Sequence, residues 1–147
     1  MRRTLRQRAE RKKLMVHEAE VRDELGRLRA RMPDVTGVLA ATVDGLVVAE
    51  DAPAIEPDGF AALTAAALGV ALRLTEAAGQ RTFREQLIRT GTGYLAVYAA
   101  GEQFVLTVLA GPRVNVGRLH LEARRCGASL AQLLDGAADR TEDARPS

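Results

Sequence analysis

The residues able to do chemistry are few and scattered. His17 and His120 lie far apart on helix-like stretches, and the single cysteine, Cys126, falls within an apolar helical stripe. A zinc site needs several thiolates or imidazoles at close spacing, which these three do not supply. The register that points Cys126 inward reads as an inert core thiol rather than a nucleophile. His120, beside the same stripe, reads as a flank residue rather than a catalytic base. Gly91-Thr92-Gly93 precedes a strand-like run, not a helix start, so it reads as a turn and not a phosphate cradle. Ser129 sits within a helix and Ser147 near the end, neither in a strand–turn–helix elbow. No spacing pairs any two carboxylates. The expectation is a protein without catalytic residues, metal ligands or cofactor, hence no enzyme.

Composition narrows the class further. The 147 residues carry 21 Lys+Arg against 19 Asp+Glu, a net charge of +2. Residues 1–13 hold seven basic groups against Glu10, a local +6, which leaves the other residues at −4. The chain therefore reads as a basic N-terminal arm (1–13), an acidic domain (14–134) and a small, charged tail (135–147) that is expected to be disordered. Met15 follows the arm directly, and a native start there is expected for some or all of the protein. The arm has no aromatic residues for base stacking and matches no DNA-binding module, so specific nucleic-acid binding is not expected. A single cysteine excludes an intramolecular disulfide, and a cytoplasmic location is expected. No stretch approaches the roughly 20 apolar residues of a membrane span.

The elements follow from periodicity. Leu14, Val21, Leu25, Leu28 and Met32 share one helical face, with Glu18–Arg22 and Asp23–Arg27 as acid-to-base pairs four apart. Pro33 stops that helix. Val38–Val43 and Leu46–Ala49 flank Asp44-Gly45, the signature of a hairpin closed by a type I′ turn. A long helix runs from Pro57 to Ala78 and ends at Gly79. Strands are expected over Phe83–Thr90, Tyr94–Ala99 and Phe104–Ala110. A last helix is capped by Asn115 and carries the stripe Val116, Leu119, Ala123, Cys126, Leu130 and Leu133, opposite a polar face that includes Glu122. The order α-β-β-α-β-β-β-α with short strand connections predicts an α+β fold, one five-stranded antiparallel sheet with helices on its faces.

The second helix should position the functional surface. Between Phe60 and Ala78 only Arg73 and Glu76 are charged. A helix apolar almost all round is buried on more than one side, and a domain this small has only one side to offer. The second cover is expected to be another copy of the chain. The strand 83–90 mixes polar groups onto both faces, as an edge strand does. The expected homodimer interface comprises Leu63, Ala67, Leu68, Ala71, Leu72, Phe83, Glu85 and Leu87.

Local motifs add a resemblance. Glu24-Leu25-Gly26-Arg27-Leu28 leads into Pro33-Asp34-Val35-Thr36-Gly37-Val38. Then come Val43-Asp44-Gly45-Leu46-Val47-Val48-Ala49, Ala61-Ala62-Leu63-Thr64-Ala65-Ala66, Gly93-Tyr94-Leu95 and Val105-Leu106-Thr107-Val108-Leu109-Ala110. In order and spacing, across about residues 20–134, these resemble the roadblock / dynein light chain superfamily. The similarity is strongest to its bacterial MglB-like branch and to the roadblock proteins of actinobacterial conservon operons. The resemblance implies a roadblock/profilin-like fold, a homodimer formed through the second helix and the following strand, and binding of a small Ras-like GTPase. It also implies a non-catalytic role in signalling, by modulating the GTPase's hydrolysis or switch state, with a sensor-kinase-like protein as a further partner. The alternative is a scaffold or adaptor without effect on hydrolysis.

Overall fold

The structure is a computed structural model that describes residue 5 and residues 17–143, with side chains through Asp135. The basic arm and Met15 lie outside the described residues, Leu5 excepted. The elements are α1 (Glu18–Arg31), β1 (Val35–Thr42), β2 (Val47–Asp51), α2 (Pro57–Ala77), β3 (Glu85–Arg89), β4 (Tyr94–Ala100), β5 (Phe104–Ala110) and α3 (Val116–Asp143). They form the predicted order and the predicted single antiparallel sheet, with strands arranged β2-β1-β5-β4-β3. β5 is central between β1 and β4, and β2 and β3 are the edges.

Alternation along the strands sorts two layers. Val38 and Ala40 of β1, Ala96, Tyr98 and Ala100 of β4, and Leu106 and Val108 of β5 point to the face that α1 and α3 cover. Val21, Leu25 and Leu28 of α1 meet Leu119, Ala123, Cys126, Leu130 and Leu134 of α3 on that side. The helical spacing that marks these residues in the sequence is thus the spacing of the main core, except in the last turn of the stripe, where Leu134 is buried in place of the predicted Leu133, which lines the groove against α1. The other face presents Leu39, Ala41, Val97 and Val105 to α2.

Several local expectations change in detail. The β1–β2 turn is not type I′. Asp44 keeps a negative φ, and only Gly45 is left-handed, at φ 93°. The Gly45 N–H donates to the Thr42 carbonyl and the Thr42 N–H to the Leu46 carbonyl. That is a three-residue loop, a type I turn followed by a left-handed glycine. Arg27 pairs with Glu24 at 2.7 Å, one turn away, rather than with Asp23, while Arg22 pairs with Glu18 as expected. Asn115 caps α3 by accepting from the Arg118 N–H at 3.0 Å. α3 itself runs on to Asp143, through residues expected in the tail. Alanine, arginine and glutamate there are good helix formers, and they extend a helix already nucleated by its packed turns.

Candidate interaction surface

α2 starts at Pro57, whose missing N–H costs nothing in a first turn. Glu56 caps it, its carboxylate accepting from the Asp58 N–H at 3.1 Å and the Gly59 N–H at 2.6 Å. Gly79 ends it at φ 70°. The helix lies on the sheet through Ala61, Thr64, Leu68 and Ala71, all buried. This inner stripe holds one large side chain, Leu68, which packs with Val97, Val105 and Phe83. Thr64 donates to the Phe60 carbonyl at 2.9 Å and lies 3.5 Å from the Thr107 hydroxyl, so the two buried hydroxyls are satisfied.

The large side chains of α2 therefore point outward. Leu63, Val70 and Leu74 are 70%, 60% and 63% exposed, and Leu72, on the flank, is 48% exposed. Residues 63, 66, 67, 70, 74 and 77 follow the three-and-four spacing of one helical stripe. Its small members, Ala66, Ala67 and Ala77, would let a second helix approach closely. By length and apolar composition α2 also reaches what a membrane span requires, contrary to the expectation that no stretch comes near. Its alanines carry it there, and its inner stripe is occupied by the sheet.

The predicted interface residues do not share one surface. Leu63 and Leu72 are exposed on α2. Ala67 is half-buried beside them. Leu68 and Ala71 belong to the inner stripe, and Phe83 is half-buried in the same cluster. Register places Glu85 and Leu87 opposite Tyr98 and Ala96, on the α3 side of the sheet. Leu87 is partly exposed there, and Glu85 is ion-paired with Arg124 of α3. That pairing holds the Arg124 guanidinium above its ordinary value. Val70, Leu74 and Ile88, which the predicted interface does not include, are exposed as well. In the sequence, the spacing of Leu63, Val70 and Leu74 marks them as one stripe.

β3 pairs only with β4, so its outer backbone edge is free among the described residues. The Glu85–Arg124 pair fastens it to α3. Next to that pair the Tyr98 hydroxyl lies 2.8 Å from His120 Nδ1, with the rings edge-on at 5.7 Å. Burial pushes the Tyr98 phenol well above its ordinary value. The Gln86 Oε1 atom, also on β3, is buried without a partner.

The residues considered for chemistry stay apart. His120 serves Tyr98, Ser129 lines a shallow groove between α1 and α3, and Cys126 is buried with its thiol pushed up to about 12, chiefly by burial. Among the described residues no three His, Cys, Asp or Glu side chains gather as a metal site would require.

The sheet is layered between one helix and two, and leaves an apolar helix face uncovered beside an open edge. The chain belongs to the Roadblock/LC7 domain family, which it matches over residues 21–110. Among solved structures it is similar to Myxococcus xanthus MglB (18% identity, 82% of this chain and 91% of that chain, TM-score 0.75). It is also similar to the gliding protein MglB from Thermus thermophilus (23% identity, 84% and 92%, TM-score 0.72). A Roadblock/LC7 domain from Streptomyces avermitilis follows (25% identity, 77% and 96%, TM-score 0.67). The layering is profilin-like as well. No curated protein matches the chain.

Proposed function

We propose that the protein is a homodimeric, non-catalytic regulator that binds a small Ras-like GTPase and modulates its GTP hydrolysis or switch state in cytoplasmic signalling. The carrying observation is the stripe of Leu63, Val70 and Leu74, left uncovered beside the open edge of β3. An apolar stripe of this kind marks a protein contact rather than a solvent face. A second copy satisfies it by laying α2 against α2, and β3 pairs with its counterpart to extend the sheet across a two-fold axis. Membership of the Roadblock/LC7 family, together with MglB-like neighbours, supports the regulatory reading. A sensor-kinase-like protein is the further partner proposed.

Mixing the purified protein with a Ras-like GTPase from the same host tests the reading. Co-elution in one nucleotide state with a changed hydrolysis rate is the expected result. Complex formation without a rate change assigns the scaffold role instead. Absence of both, in the GDP, GTP and nucleotide-free states, refutes the proposal.

A further inference from the structure

The groove between α1 and α3 lies on the face of the sheet away from α2, and it changes sign along its length. At one end Arg31, Glu122 and Arg125 border a cavity of about 500 Å³. At the other, Glu20, Asp23, Glu24 and Arg27 border one of about 430 Å³. Ser129 and Gln132 line both, so the two cavities form one continuous trough.

The first end is cationic. Its one acid, Glu122, is buried, with Arg31 at 3.4 Å from α1 and Arg125 at 3.7 Å one turn along α3. Arg118 donates to the Arg31 carbonyl at 3.1 Å, which covers the acceptor that ends α1. Three guanidinium groups thus surround one carboxylate, an excess of two positive charges. The Arg31 and Arg125 side chains remain 53% and 64% exposed, so pairing with Glu122 leaves donors of both within reach of a ligand. Guanidinium donors match phosphoryl oxygens in pairs, and a phosphate ester carries about −1.5 to −2 charge at neutral pH, which balances that excess.

The second end sets three carboxylates against Arg27, itself bonded to Glu24 at 2.7 Å. A ligand with phosphate after phosphate, such as nucleic acid or an anionic lipid surface, is repelled there. A peptide with one phosphate and a basic residue suits both ends. Along α1, Arg31 stands eight residues from Asp23 and eleven from Glu20, about 12 and 16 Å at 1.5 Å per residue. An extended peptide covers that span in about four or five residues.

We propose that the α1–α3 groove binds a phosphorylated segment of a partner protein. The phosphate sits at Arg31 and Arg125, and a basic residue four or five positions away sits at Asp23 and Glu20. The outer stripe of α2 takes no part, so the groove works whether or not the chain dimerises.

Fluorescence anisotropy with a labelled phosphoserine peptide tests this, the rest alanine and glycine except for two lysines four and five residues from the phosphoserine. The peptide is made with the lysines before the phosphoserine and with them after it, and one of the two should bind at low salt. Removing the phosphate, or replacing the lysines by alanine, should weaken binding about tenfold, as the loss of one charge-assisted contact does. Arg125→Gln should weaken the phosphopeptide as far and leave the unphosphorylated peptide unchanged. Asp23→Lys should weaken it too, and should favour a phosphopeptide with glutamates in place of the lysines. Both side chains are exposed, so both variants should keep the parent's melting temperature. Failure of both peptides to bind, indifference to the phosphate, or unchanged affinity in Arg125→Gln overturns the proposal. So does Arg125-dependent binding of duplex DNA or phosphatidylserine vesicles as tight as that of the peptide, which would make the cationic end a general anion surface.

Discussion

Replacing Leu63, Val70 and Leu74 together by serine separates the outer face of α2 from its inner one. Each side chain is well over half exposed in the single chain, so folding of the protomer draws little from it. Its burial against a second copy would recover about 1 kcal/mol or somewhat more, taking roughly 25 cal/mol per Å² of apolar area. A two-fold axis uses each residue twice, so the variant should lose about 6 kcal/mol of association energy, roughly four orders of magnitude in Kd. A micromolar dimer would then be monomeric at any practical concentration. Sedimentation equilibrium over a concentration series measures the loss, and far-ultraviolet circular dichroism checks that the fold persists. A variant that folds and associates as tightly as the parent would refute both the placement of the interface and its apolar origin.

Leu68→Ala should behave in the opposite way. It empties the inner stripe between α2 and the sheet, and urea unfolding should show a loss of about 2–4 kcal/mol in the monomeric background. Gly93→Ala should destabilise the chain markedly, because a Cβ there would collide with the backbone carbonyl oxygen of Ala110 and its carbon at 3.3 Å; a lowered melting temperature checks it. Burial raises the Cys126 thiol from 9.0 to about 12, so the folded state holds that proton more tightly than the unfolded chain does. This contribution is complete below about pH 9 and is lost as pH rises toward 12. The Cys126→Ala variant should show a shallower fall in urea midpoint between pH 8 and pH 11 than the parent, and an equal fall would count against the assignment. Modification of Cys126 by a thiol reagent at pH 7 should proceed only at the rate of opening, and a rapid reaction in native buffer would contradict its burial.

The core is legible where large side chains and periodicity coincide. Val21, Leu25 and Leu28 on α1, and Leu119, Ala123, Cys126 and Leu130 on α3, advertise their inward faces because the other faces are largely charged or polar. α2 is illegible by the same rule. Its inner stripe is mostly alanine and threonine, while leucine and valine sit outside, so side-chain size points the wrong way. That is why pattern alone groups Leu68 and Ala71 with Leu63. Spacing likewise puts Glu122 on a solvent face, yet it lies largely buried between Arg31 and Arg125. Two arginines on separate helices make that burial tolerable, and spacing within one helix does not reveal a partner on another. The Asp-Gly pair marks the hairpin correctly but not its loop length, since an additional residue, Val43, enters the turn and moves the left-handed position to Gly45 alone.

The sheet order has a kinetic consequence. β1 and β2 form one hairpin and β3, β4 and β5 one meander, each built from near neighbours in sequence. The centre of the sheet is instead the β1–β5 joint, where Val38 faces Val108 across most of the intervening chain. Closing so long a loop costs entropy before any contact repays it. The two local units should therefore form within microseconds, and the chain should then wait, on a millisecond scale or longer, for that one joint to zip. During the wait both the β1 and β5 edges are open to strands from other molecules. Aggregation during refolding should accordingly rise steeply with protein concentration, even though the finished sheet hides both of those edges at its centre.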